Sequence, residues 1–72
     1  MPKTKGESML ADYLKKRRLA ENLTQTQMAE RIGTSQSYYS QLESGARKPG
    51  IGMVGKIARA LGVDPPSLRR LL

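Results

Sequence analysis

The chain has 72 residues, with 13 Lys and Arg against six Asp and Glu, a net charge of +7, and neither cysteine nor histidine. This length fills one small domain with a thin stability margin, and the missing residue types exclude disulfides, thiol chemistry and the usual zinc and iron ligand sets. The basic excess points to a polyanion partner, most often nucleic acid, although solubility alone also accommodates it.

No apolar run approaches the roughly 20 residues that span a bilayer, and the opening MPKTKGESM has no hydrophobic stretch to act as a secretion signal. A cytoplasmic location is the expectation. Residues 1–7, with Pro2, Gly6 and two lysines but no apolar periodicity, read as a flexible basic arm, and residues 8–72 as the domain.

Leu10, Tyr13 and Leu14 fall at helical spacing, with KKRR at 15–18 and then Leu19, so residues 9–21 form an amphipathic first helix. Asn22 stops it, because Asn tolerates the left-handed conformation of a helix C′ position. Thr24, with Gln27 three residues on, has capping-box spacing and starts a second helix near Gln25. Met28, Ala29 and Ile32 give that helix its apolar face, and Gly33 ends it.

Thr34 and Ser35 can cap a third helix, Gln36 to Ser44, which buries Tyr39 and Leu42 and stops at Gly45. Its other face, Gln36, Ser37, Ser40, Gln41 and Ser44, is polar and uncharged. After the ARKPG turn, Ile51, Val54, Ile57, Ala58 and Leu61 line one side of a fourth helix closed by Gly62. Asp64 caps a fifth, with Pro65 in its first turn and Leu68, Leu71 and Leu72 as its apolar side. No run alternates with period two over strand length, so the expected fold is all-α, five short helices with tight connections.

Only about three residues around Gly33 join the second and third helices, which forces a steep crossing, the helix-turn-helix arrangement. The stretch LTQTQMAERIGTSQSYYSQLESGARKP resembles the phage repressor and Cro-type, or XRE, helix-turn-helix family, and residues 9–71 fit its compact five-helix, lambda-repressor-like domain. Met28, Ala29, Ile32, Gly33, Tyr39 and Leu42 stand where that motif asks for core apolars, a small residue and a turn glycine. Ala29 lets the third helix come close to the second, Gly33 supplies a positive φ, and the four larger apolars seal the contact.

The resemblance implies base contacts from Gln36, Ser37 and Gln41 in the major groove of double-stranded DNA. Gln pairs well with adenine through N6 and N7, and an uncharged reading face flanked by cations suits sequence recognition, since clustered positive charge would bind any sequence. It implies backbone contacts from Gln25 with the N-terminus of its helix, and from Tyr38, Ser40, Arg47 and Lys48. Arg18 and Glu43 match a structural charged pair tying the first helix to the third, with Arg17 as the alternative partner.

As a whole the resemblance implies a transcriptional regulator, a repressor reading an inverted-repeat operator as a homodimer, with no cofactor, metal or membrane partner. One helix-turn-helix reads few base pairs, so two copies on half-sites about one helical turn apart supply specificity. Val63, Pro66, Leu68, Leu71 and Leu72 are the candidate dimer interface, core packing of the fifth helix being the other reading of those leucines. A chain ending in two leucines also fits truncation ahead of a C-terminal domain.

Other signals carry less. GIGMVG at 50–55 spells a dinucleotide fingerprint, but no strand precedes it and too little chain follows for a βαβ unit. Gly55 departs from the family, where a large apolar residue is usual, and marks a fourth helix that is weak, bent or closely approached. Asn22-Leu23-Thr24 has the form of a glycosylation acceptor but overlaps a helix cap. Catalysis lacks an acid, base or activated nucleophile held in a pocket, and a membrane-surface role for the first helix competes with the core for Leu10 and Leu14. The rival from another class is a protein-binding module on the same fold, such as an antitoxin or adaptor.

Overall fold

A computed structural model describes residues 8–72, and the basic arm expected at 1–7 lies outside the described residues. Five helices follow in order: α1 Met9–Ala20, α2 Gln25–Ile32, α3 Gln36–Ser44, α4 Ile51–Leu61 and α5 Pro65–Arg69. No strand occurs among the described residues.

Local chemistry sets each boundary. Ser8 caps α1 by accepting from the Ala11 N–H at 2.9 Å. Asn22 takes a left-handed φ of 57° just beyond the helix end, as its side chain allows. Thr24 and Gln27 exchange both hydrogen bonds of a capping box at the start of α2, and Gly33 closes that helix at φ 95°, where a Cβ would be strained. Ser35 caps α3 by accepting from the Tyr38 N–H at 3.1 Å. Asp64 occupies the N-cap position of α5, but its side chain makes no capping bond, so Pro65 and backbone contacts define that start.

Leu10 and Leu14 of α1, Met28, Ala29 and Ile32 of α2, and Tyr39 and Leu42 of α3 bury their side chains in one cluster with Val54, Ile57, Ala58 and Leu61 of α4 and Leu68 of α5. The α2–α3 and α1–α3 contacts are the most extensive, so the third helix is held from two sides. A backbone bond from the Leu10 N–H to the Leu71 carbonyl, 3.1 Å, ties the end of the chain to the start of α1.

Two sequence expectations need correction. Ile51 continues the apolar stripe of α4 on paper, yet it is 87% exposed. It is the first residue of α4, and the stripe meets the core only from Val54 onward. Leu71 and Leu72 were assigned to the apolar side of the fifth helix, but α5 stops at Arg69 and both leucines lie beyond it.

Candidate nucleic-acid interface

The uncharged polar face of α3 follows from its burial pattern. Tyr39 and Leu42 turn inward, which leaves Gln36 and Ser37 exposed and Ser40 and Gln41 half-buried around the opposite side. Ser37 and Gln41 are one turn apart on that side, and Gln36 opens the helix. The three residues expected to touch bases therefore share one element, which the body of the domain supports from behind.

Behind that face sits an ion pair. Arg18 Nε and Nη2 donate to Glu43 Oε2 and Oε1 at 2.7 and 3.0 Å, with the two side chains only 13% and 6% exposed. Arg18 also donates to the Leu23 carbonyl at 2.9 Å, so α1, the α1–α2 turn and α3 meet at one guanidinium. The expected Arg18–Glu43 pair is the one formed. Arg17 is engaged elsewhere, with the Tyr13 hydroxyl, Glu21 and the Leu61 carbonyl at the end of α4.

Glu43 takes two more donors. The Tyr39 hydroxyl reaches Oε2 at 2.6 Å, and Gln25 Nε2 reaches Oε1 at 3.0 Å. Burial would raise the Glu43 pKa, but the hydrogen bonds from Arg18, Tyr39 and Gln25 outweigh it and hold the carboxyl below its ordinary value. Burial, followed by the bond to Glu43, pushes the Tyr39 phenol well above its usual range.

An ionised carboxylate only accepts, so Gln25 must turn its NH2 toward Glu43 and its Oε1 away. That Oε1 accepts from Gln36 Nε2 at 3.0 Å. Polarity thus passes from a charged group through one amide to the next, and among the described residues Oε1 and one N–H of Gln36 have no partner. The resemblance implies a phosphate contact for Gln25; the fold makes it the link between the ion pair and the first turn of α3.

Arg47 and Tyr38 form a second group. Arg47 Nε donates to Gln41 Oε1 at 2.7 Å, and its guanidinium lies over the Tyr38 ring, 5.4 Å from the centroid. Lys48 is exposed next to them. Sequence reasoning missed the Arg47–Gln41 bond, since it crosses the helix end. The Tyr39–Glu43 bond was legible in principle, because a buried tyrosine needs a partner for its hydroxyl and Glu43 is four residues on.

Tyr13, Val63, Ser67, Leu68 and Leu71 line a cleft of about 190 Å³. Of the residues expected at a dimer interface, Leu68 is 1% exposed and belongs to the core, so it is removed from that set. Pro66 and Leu72 are exposed, and Val63 and Leu71 are half-buried.

A family model described as helix-turn-helix matches residues 14–68. The chain belongs to the helix-turn-helix family. The resemblance to its phage repressor and Cro-type branch, read from the sequence, is borne out. The chain is 38% identical over 56 residues to the uncharacterized HTH-type transcriptional regulator YqaF of Bacillus subtilis, covering 78% of this chain and 74% of that one. It spans only 28% and 37% of two other HTH-type transcriptional regulators, from Sinorhizobium fredii and Mycobacterium tuberculosis.

Among solved structures, the helix-turn-helix chain is similar to the restriction-modification controller protein C.AhdI from Aeromonas hydrophila. The TM-score is 0.71 at 30% identity, over 82% of this chain and 86% of that one. It is also similar to SinR, the master regulator for biofilm formation, solved in complex with DNA. There the TM-score is 0.72 at 26% identity, over 85% of this chain and 98% of the solved chain.

Proposed function

We infer that this DNA-binding transcriptional regulator acts in the cytoplasm as a repressor, setting α3 into the major groove of an inverted-repeat operator and reading it with Gln36, Ser37 and Gln41. The observation that carries this is the fixed amide of Gln36. Its free Oε1 and N–H match the N6 donor and N7 acceptor of adenine, and its orientation is set by Glu43 through Gln25 before any DNA arrives. Side chains ordered during folding do not pay that entropy again on binding.

The N-terminus of α2 with Gln25, together with Tyr38, Ser40 and Lys48, contacts the phosphate backbone, where free helix N–H groups and cations attract anions. Two copies pair through Val63, Pro66, Leu71 and Leu72, of which Val63 and Leu71 line the cleft that Tyr13, Ser67 and Leu68 complete. The similarity to SinR, whose structure holds DNA, supports the docking mode.

Selection of bound duplexes from a random DNA pool at near-physiological salt tests this reading. Wild type is expected to enrich an inverted repeat, and Gln36→Ala/Gln41→Ala to blur it. Salt-sensitive binding with no enriched motif in wild type would overturn sequence reading and leave the protein-binding alternative.

A further inference from the structure

Gln36 and Gln41 are the same residue type on the same helix, yet they are held in opposite ways. Gln36 gives a hydrogen to Gln25 and keeps its oxygen. Gln41 gives its oxygen to Arg47 at 2.7 Å and keeps both N–H groups. A guanidinium has no acceptor, so the atom of Gln41 that faces Arg47 Nε must be the carbonyl oxygen.

The ring of Tyr38 supports the guanidinium from one side, 5.4 Å from its centroid. Arg47 is thereby held in place by a hydrogen bond and a cation–π contact.

We propose that Arg47 is a positioning residue for specificity: by capturing Oε1 of Gln41 it turns that side chain into a hydrogen-bond donor that selects guanine. This rests on the DNA-reading function above and assigns its second amide. Guanine offers two acceptors in the major groove, N7 and O6, whereas adenine offers N7 beside the N6 donor. Oε1 keeps a second lone pair, but an adenine N6–H directed at it would approach the positive guanidinium that already donates there, whereas guanine N7 and O6 would meet only N–H donors. The two glutamines therefore read different bases, Gln36 adenine and Gln41 guanine, from identical side chains.

The test repeats the duplex selection with wild type, Gln41→Ala, Arg47→Ala and Arg47→Lys, followed by competition between duplexes that differ only at the position Gln41→Ala blurs. The expected result is guanine at that position in wild type, favoured about tenfold over adenine, the scale of one good bidentate pair. Arg47→Ala should blur the same position and leave the others sharp. Arg47→Lys keeps the charge but lacks the planar Nε donor, so it should blur the same position as Arg47→Ala and show no guanine preference there.

Adenine at that position in wild type would overturn the proposal. So would an Arg47→Ala motif unchanged at every position with uniformly weaker binding, which would make Arg47 a phosphate contact, or full recovery of the preference by Arg47→Lys. Each of these leaves DNA reading intact. A wild-type pool without any motif removes the DNA-reading function and this inference with it.

Discussion

Glu43 concentrates four hydrogen bonds on one carboxylate: two from Arg18 and one each from Tyr39 and Gln25. Removing one partner of a buried, hydrogen-bonded pair leaves the other charge uncompensated and costs about 3 to 5 kcal/mol. For a domain whose whole stability is about 5 to 15 kcal/mol, Glu43→Ala is expected to remove a substantial share of it, seen as a large drop in the urea midpoint. The pH response has a defined sign. A carboxyl held below its ordinary value of 4.5 contributes its full stabilisation above that value and loses it as pH falls through the lower folded value. Stability should therefore fall with acid below about pH 4.5 in wild type, and the fall should be shallower in Glu43→Gln. Equal acid limbs in denaturation curves of the two proteins would take this role from Glu43. The pairing with Arg18 was legible from the resemblance alone, but the chain onward to Gln25 and Gln36 was not, because residues 18, 25, 36 and 43 meet only when α1, α2 and α3 pack.

Among the helices, α4 departs furthest from its sequence expectation. Gly55 suggested a weak, bent or crowded helix, yet α4 runs unbroken from Ile51 to Leu61 and a Cβ added at Gly55 meets nothing within 4 Å. Close approach is thus not the reason for the glycine. Replacing it by alanine should stabilise the domain by about 1 kcal/mol through helix propensity. That corresponds to a rise in Tm of about 4 to 8 °C in thermal unfolding. A lowered Tm for Gly55→Ala would show that the site is tighter than this geometry. The helix starts and stops themselves were readable, since Thr24 with Gln27, Gly33, Ser35, Gly45 and Gly62 each act within one turn of their own position. Ile51 was misread because periodicity assigns a face to every residue of a helix, whereas burial depends on whether another element reaches that turn.

At the scale of the domain, the +7 charge supplies attraction to any DNA, and in the proposed reading the neutral face of α3 supplies discrimination. Lys48→Ala should weaken binding to all duplexes by a similar factor and flatten the plot of log affinity against log salt by roughly 0.9, the release associated with one phosphate contact. Titrations at several salt concentrations would measure this, and parallel slopes for wild type and variant would place Lys48 away from the backbone. Its neighbour Arg47 carries the same formal charge but bonds Gln41 and lies over Tyr38, and in the inference above it acts on base choice instead of the backbone contact the resemblance implies.

The sequence by itself determined what depends on near neighbours: five helices, their caps, the tight turn at Gly33, the inward placement of Tyr39 and Leu42, and the uncharged face they leave outside. Periodicity and capping act over a few residues, so they are written in order along the chain. Which leucine is core and which is surface depends on how the helices pack. The tertiary structure placed Leu68 inside, leaving Leu72 48% exposed. It also decided which way the amides of Gln25, Gln36 and Gln41 point, because that orientation comes from Glu43 and Arg47, charged groups that folding brings to Gln25 and Gln41. An amide carries a donor and an acceptor at nearly equal reach, and nothing in its own sequence position distinguishes them.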